Sequence, residues 1–159
     1  MSCVIFGAGK IARGFIGHLL YLSGIPFTFV EKADALVDLI NQNKQYYVNI
    51  LGAPDKCCTV KGVSAYSFTD SEDIERVISE ADAVFTAVGG KNLNDIVPML
   101  ALGVKAKAKK GGTLNIVTCE NWKLPATILK NGITELLNDE EKAFFDKNVG
   151  VTEAVIMRS

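Results

Sequence analysis

A glycine-rich segment near the amino terminus, IFGAGKIARGFIGHLL at residues 5–20, limits what this chain can fold into. Glycine destabilises the interior of a helix or a strand by roughly 0.5–1 kcal/mol relative to alanine. The segment has the pattern of a strand that runs into a helix, so its glycines belong where side chains would obstruct something. Gly7, Gly9 and Ala12 form the pattern G-x-G-x-x-A between the two elements. This is the context expected of a dinucleotide-binding turn.

Each position of this pattern has a physical role. Gly7 permits the tight turn out of the strand, Gly9 lets a pyrophosphate touch the backbone, and Ala12 keeps the helix close to the sheet. The start of the helix offers free N–H groups and a partial positive charge to the phosphates. For Arg13, two roles remain open: contact with a phosphate, or capping of a neighbouring loop. The residues expected to contact the cofactor at this turn are Phe6, Gly7, Ala8, Gly9, Lys10, Ile11, Ala12 and Arg13.

An acidic residue stands at the end of the second predicted strand. Glu31 follows the apolar run FTFV, about 20 positions after the glycine pattern, where dinucleotide-binding folds place the acid that accepts hydrogen bonds from the adenosine ribose. A carboxylate at this point repels the 2′-phosphate of NADP, so NAD is the expected cofactor. Lys32 is a second expected contact, and its charge would soften the preference. The alternative is that Glu31 is an exposed charge that merely ends a strand.

A second glycine-rich turn, TAVGG at residues 86–90, follows a later strand. In open α/β folds the ligand binds at the carboxyl ends of the strands, so this turn is expected beside the ribose and nicotinamide half of the cofactor. An ordinary strand-to-helix turn is the alternative. The predicted contacts here are Thr86, Ala87, Val88 and Gly89.

Short apolar runs alternate with helical periodicity along the chain, which predicts parallel strands joined by crossover helices. The expected fold is α/β: a Rossmann-type doubly wound, mostly parallel sheet with an inserted β-hairpin, formed by YYVNIL and CCTV around the turn GAPDK. Strands are predicted at residues 2–6, 27–30, 83–88 and 113–118, with a closing apolar run at 149–157. Helices are predicted at residues 10–22, 35–41, 70–80, 93–108, 122–137 and 139–148. The inward helical faces are predicted to carry Ile11, Phe15, Leu19 and Leu22, and Leu36, Leu39 and Ile40.

Composition excludes several classes of function. The 159 residues are 48% apolar and 22% charged with a net charge of −1, so no basic field favours nucleic acid. No leader pattern opens the chain and no apolar run reaches the ~18 residues of a membrane span, so a cytoplasmic location away from membranes is expected. Four cysteines without a CxxC pattern and one histidine, His18, predict no metal site. We expect His18 to be structural, and the lysines near residues 105–110 to end a helix.

Five segments taken together identify a family: FGAGKIARGFIG, TFVEK, TAVGG, CEN and NVGVTEAVIMR. In this order the chain, from about Val4 onward, resembles the polyol-specific long-chain dehydrogenases of the mannitol dehydrogenase family, and within it the mannitol-1-phosphate 5-dehydrogenases. The long run that continues past the glycine pattern and the tripeptide at residues 119–121 are the most specific parts. Ala12 departs from the glycine that is usual at that position of the family.

The resemblance implies an enzyme that interconverts mannitol 1-phosphate and fructose 6-phosphate by hydride transfer with NAD. Asn121 matches the family's asparagine that polarises the reacting oxygen; from its position alone, it could also cap a helix starting at Trp122. The family's base lysine lies in a helical C-terminal domain that this sequence lacks. Residues 1–159 are therefore expected to be the NAD-binding Rossmann domain of a longer polypeptide, inactive alone, whose partners are that C-terminal domain and a polyol phosphate.

Two alternatives remain at this point. A fructuronate or tagaturonate reductase, or a mannitol 2-dehydrogenase, would share the architecture, because the substrate-binding wall that distinguishes these enzymes lies outside the sequence. A non-catalytic NAD(H)-binding module, such as a redox sensor, would need only the features found here.

Overall fold

Six parallel strands form the central sheet of the computed structural model, which describes residues 1–156 of the chain. The last residues of the closing run and of its motif, Met157 and Arg158, lie outside the described residues. The strands are β1 Cys3–Phe6, β2 Phe27–Glu31, β3 Gln45–Val48, β4 Cys58–Lys61, β5 Ala65–Ser67, β6 Ala83–Thr86, β7 Leu114–Thr118 and β8 Val149–Glu153. Of these, β3 and β4 form a separate two-stranded sheet.

The order of strands in the large sheet is β5-β2-β1-β6-β7-β8, and each neighbouring pair is parallel. This is the strand order of the doubly wound dinucleotide-binding fold, in which the order reverses beside the first strand. Phe6 at the end of β1 pairs with Val30 on one side and with Thr86 on the other. The predicted fold is confirmed, and its switch point lies between β1 and β6.

Helices cover both faces of the sheet. They are α1 His18–Leu22, which continues a π-helical segment at Ala12–Gly17, α2 Asp34–Asn43, α3 Ser71–Glu80, α4 Leu93–Lys110, α5 Pro125–Glu135 and α6 Asp139–Asn148. One face packs against α3 to α6 through fully buried side chains such as Ile74, Leu100 and Phe145. The other packs against the first two helices through Ile16 and Val37. Apolar residues on both faces explain why the strands read as continuous hydrophobic runs.

The predicted hairpin is present and antiparallel. Strands β3 and β4 pair with Val48 opposite Cys58, and the hairpin lies between α2 and β5 along the chain. Val48 and Val60 are buried against the same core as the first helix. Strand β5 was not predicted, because its three residues, AYS, are too few to produce a recognisable alternation.

The buried face of the first helix differs from the prediction. Leu19 and Leu22 are 46% and 63% exposed, whereas Ala12, Ile16 and Leu20 are buried. The predicted residues and the buried residues recur with almost the same spacing along the helix. Periodicity alone therefore did not determine which of the two faces packs on the sheet. The small side chain of Ala12 allows the closer approach. The same error of phase occurs in α2, where Val37 rather than Leu39 joins Ile40 in the core.

One lysine near the end of α4 is buried. The helix ends at Lys110 as predicted, but Lys107 is buried and its Nζ donates a hydrogen bond to the Ala81 carbonyl. Burial lowers the pKa of this ammonium group. Pro98 lies inside α4. Within residues 1–156, no helix is both long enough and apolar enough to cross a membrane.

A tyrosine joins the hairpin to the first helix. The Tyr46 hydroxyl donates a 2.7 Å hydrogen bond to the carbonyl oxygen of Arg13, inside the π-helical segment, where backbone hydrogen bonds are rearranged. Burial raises the pKa of this hydroxyl, so it stays a donor. Gly17 makes room for it, because a Cβ at Gly17 would lie 2.5 Å from the Tyr46 oxygen and 3.2 Å from the Phe27 ring.

This contact predicts opposite effects for two glycines of the same helix. Gly17→Ala is expected to lower the free energy of unfolding by about 1–3 kcal/mol, because the added methyl group overlaps Tyr46. Gly14→Ala is the matched control, since a Cβ at Gly14 meets no atom within 4 Å. It is expected to raise the free energy of unfolding, because alanine stabilises a helix by up to about 1 kcal/mol relative to glycine. Urea denaturation measures both. Equal stability of the two variants would contradict the packing described.

Candidate functional site

Two adjoining clefts open at the carboxyl ends of β1 and β6, at the switch point of the sheet. The first has a volume of about 290 Å³ and is lined by Gly7, Gly9, Glu31, Lys32, Phe68, Ala87, Val88, Asn92, Asp95 and Ile96. The second, of about 230 Å³, is lined by Ile11, Ala87, Gly89, Cys119, Glu120, Asn121 and Ile156. Ala87 borders both clefts, so together they offer one elongated surface. This is where open α/β sheets bind their ligands.

The glycines of the first turn have two different roles. Gly7 has φ +96°, and a Cβ there would overlap the carbonyl oxygen of Ala87 in the second turn. Gly7 is therefore required by the fold, because the two turns touch at this point. A Cβ at Gly9 would meet nothing within 4 Å, so its missing side chain leaves open space in the first cleft.

Glu31 organises the first cleft with both of its carboxylate oxygens. Oε1 accepts a 2.9 Å hydrogen bond from the N–H of Ala8, and Oε2 accepts a 2.7 Å bond from the N–H of Ala33. The carboxylate thus supports the first turn as well as lining the cleft beside Lys32. Each oxygen retains a lone pair, so hydroxyl groups of a ligand can still donate to it. The acid predicted from the sequence lies at the predicted place.

Arg13 and Lys10 face a different part of the surface. They line a third cleft, of about 330 Å³, between the first helix and the hairpin residues Tyr46 and Tyr47. Arg13 also donates from Nε to the carbonyl oxygen of Gly9 at 3.4 Å. Two roles were left open for Arg13, contact with a phosphate and capping of a neighbouring loop. This hydrogen bond to the glycine turn corresponds to the second role.

A buried acid that sequence reasoning did not select holds the second turn. Glu120 is only 5% exposed, and its Oε2 and Oε1 accept hydrogen bonds of 3.1 Å from the N–H groups of Val88 and Gly89. Asn92 adds a 2.7 Å bond from Nδ2 to the Val88 carbonyl. The available signal was an acid directly after a buried strand, but no local pattern showed that it would reach a turn 31 residues away.

Asn121 lines the second cleft but does not cap a helix. Residues 121–124 form a bend, and α5 begins at Pro125 after Leu124, which has φ +50°. The predicted helix start at Trp122 and the capping role of Asn121 are therefore wrong; Pro125 fixes a later start, since proline suits the first helical position. The Asn121 side chain is left available for a ligand. Burial and the nearby Glu120 charge raise the pKa of Cys119 to about 11, so its thiol stays neutral.

Several predicted contact residues support the turns from inside. Their side chains have no exposed surface; they are Phe6, Ala8, Ala12 and Thr86. Because these residues are buried as a whole, they support the turns from the interior and do not themselves line the clefts. His18 is buried in the first helix at 4% exposure, as expected of a structural histidine.

Solved structures with this fold include two dehydrogenases. GDP-mannose dehydrogenase from Pseudomonas aeruginosa matches all of this chain with a TM-score of 0.69 and 18% identity, over 37% of its own length. UDP-glucose dehydrogenase from Pyrobaculum islandicum matches 99% of this chain with a TM-score of 0.64 and 16% identity, over 36% of its length. A conserved hypothetical protein from Sinorhizobium meliloti 1021 matches with a TM-score of 0.60 and 13% identity, over 42% of its length. The chain thus spans about two fifths of these proteins, and the likeness shows the fold.

The family itself is established by sequence. The model of the mannitol dehydrogenase Rossmann domain matches residues 1–158, which include both glycine turns, Glu31 and the residues around Asn121. The segments that carried the resemblance all lie within this match. The chain therefore belongs to the mannitol dehydrogenase family, whose Rossmann domain it matches over nearly its whole length.

Proposed function

We propose that this chain binds NAD across the two adjoining clefts, as the cofactor domain of a polyol-phosphate dehydrogenase. The observation that carries the proposal is the position of Glu31, whose carboxylate lines the first cleft while it holds the N–H of Ala8. Glu31 would accept hydrogen bonds from the ribose hydroxyls, and the open side of Gly9 would leave room for the pyrophosphate. The residues of the second cleft would hold the nicotinamide.

The residues present fit a dinucleotide on two counts. Gly9 leaves space where a phosphate needs close approach to the backbone, and the Glu31 oxygens have acceptor capacity that ribose hydroxyls can use. A 2′-phosphate at the same place would put a second anion beside the Glu31 carboxylate, which is unfavourable. NAD is therefore proposed rather than NADP, with Lys32 reducing the margin.

The proposed reaction interconverts mannitol 1-phosphate and fructose 6-phosphate. The bound cofactor supplies the hydride chemistry, and the protein supplies position and electrostatic stabilisation. The side-chain amide of Asn121 donates a hydrogen bond to the substrate oxygen, where negative charge develops as a carbonyl is reduced. A base and the second wall of the site come from a helical C-terminal domain, as in the family that the sequence resembles.

The first experiment tests the phosphate turn. Gly9→Val is expected to fold but to lose NADH binding by more than tenfold, because the branched side chain occupies space that the pyrophosphate needs. Gly14→Val is the control, since Gly14 is also open to solvent but lies outside the two clefts. Calorimetric titration measures binding, and thermal unfolding verifies the fold. Unchanged NADH binding by Gly9→Val would place the phosphates elsewhere.

A second experiment tests the choice of cofactor. Glu31→Ala is expected to weaken NADH binding by roughly 1.5–3 kcal/mol, the value of hydrogen bonds to a charged group. The same change removes the repulsion of a 2′-phosphate, so the affinities for NADH and NADPH should converge. Titration of both cofactors into both proteins measures this. Tighter binding of NADPH than of NADH by the unmodified chain would contradict the assignment.

The third experiment tests the reaction. The chain alone should bind NADH but not oxidise mannitol 1-phosphate, since an absent general base costs about 10²–10⁴-fold in rate. A longer protein that carries the family's C-terminal domain should turn over and lose most of its kcat on Asn121→Ala, whereas Asn43→Ala at the end of α2 should not matter. NADH formation is the readout. Rapid turnover by residues 1–159, or inactivity of the longer protein on polyols and their phosphates, would contradict the proposal; the second result would favour a sensor.

A further inference from the structure

Glu120 is a buried carboxylate that forms no ion pair with any of residues 1–156. Among residues 1–156, the ion pairs are made by Arg76 on the far surface of α3, and Glu120 is held instead by the two N–H groups of the second turn. Because both oxygens accept, the ionised carboxyl group is the form that suits this geometry. A single negative charge therefore lies at the wall of the second cleft.

The local backbone explains how the fold tolerates this charge. Val88 and Gly89 precede the 3-10 turn Gly90–Asn92 and helix α4. The N–H groups that precede and open a helix carry a partial positive charge, which stabilises a nearby anion. The charge is thereby held in place but not cancelled. Its influence extends into the cleft, because it contributes to the raised pKa of the Cys119 thiol beside it.

We propose that Glu120 is a positioning residue that fixes the second turn and biases the nicotinamide site toward the oxidised cofactor. This inference rests on the proposed binding of NAD. The oxidised nicotinamide ring is cationic and the reduced ring is neutral. A carboxylate at the cleft wall that pairs with no cation among residues 1–156 therefore favours the oxidised ring. Glu120 thus holds the turn through its shape and discriminates the redox state of the cofactor through its charge.

The two carboxylates of the site are predicted to act on different parts of the ligand. Glu31 lines the first cleft and Glu120 the second, so Glu31 senses the ribose that both redox forms share. A change at Glu31 should alter the affinities for NAD⁺ and NADH equally. A change at Glu120 should alter their ratio.

The experiment compares three ligands: NAD⁺, NADH and ADP-ribose, which lacks the nicotinamide. Glu120→Gln removes the charge with little change of size, but its amide nitrogen cannot accept the second N–H of the turn, so NADH affinity falls as well. The ratio of the NAD⁺ and NADH dissociation constants cancels this shared loss and is expected to shift about tenfold against NAD⁺. ADP-ribose affinity should change less than threefold. The matched control is Glu153→Gln, an exposed acid at the same edge of the sheet that accepts a hydrogen bond from the N–H of Ala126; it should leave the ratio unchanged.

A second variant separates charge from shape. Glu120→Asp keeps the charge but shortens the side chain. The affinities for NAD⁺ and NADH are therefore both expected to fall, while the ratio of their dissociation constants stays close to that of the unmodified chain. It also provides the test if Glu120→Gln does not fold. Calorimetry gives the constants, and the fluorescence of Trp122, the single tryptophan of the chain, reports on the turn directly, because its ring packs on Gly90.

The outcomes distinguish the two levels of the proposal. Equal losses for NAD⁺ and NADH in Glu120→Gln, or a tenfold change of ratio in Glu120→Asp, would overturn the electrostatic role while leaving NAD binding intact. Failure of the unmodified chain to bind ADP-ribose and NADH would overturn the proposed function itself. A ratio that shifts in Glu120→Gln alone supports the inference.

Discussion

The contact between two backbone turns, Gly7 against Ala87, is the constraint on which the rest of the site depends. Gly7 ends β1 and Ala87 follows β6, and the two turns meet so closely that no side chain fits at Gly7. Parallel pairing of β1 and β6 in register places them there. The resulting surface is continuous across the switch point, so a long ligand can contact both turns without crossing a gap. Any residue larger than glycine at this position would separate them.

Each turn is held in shape by a carboxylate from another strand. Glu31 at the end of β2 binds the N–H of Ala8, and Glu120 just after β7 binds those of Val88 and Gly89. Backbone N–H groups at such turns would otherwise need water or a ligand as acceptor. The acids therefore make the turns rigid before a ligand arrives. A preorganised site loses less conformational entropy on binding than a flexible one.

Features encoded within one short segment could be predicted from the sequence, and features that depend on spatial neighbours could not. The glycine turn and Glu31 were predictable because strand, turn and acid follow at a fixed spacing. The role of Glu120 was not, since its partners lie in a turn that follows another strand. The buried face of the first helix was ambiguous, because the residues on the same face as Leu19 are as apolar as those on the same face as Leu20. Asn121 follows β7 as the sequence predicted. Its predicted capping role was wrong because α5 begins at Pro125 and not at Trp122.

The Tyr46 contact has a consequence for how proteins with this arrangement can change over time. The hydroxyl of Tyr46 occupies the space left by Gly17 and donates to the carbonyl oxygen of Arg13, so the hairpin packs closely against the helix that follows the first glycine turn. A descendant that loses the hairpin exposes an empty notch, which a larger residue at position 17 would fill. A descendant that keeps the hairpin has no such freedom. Positions 17 and 46 are therefore expected to vary together.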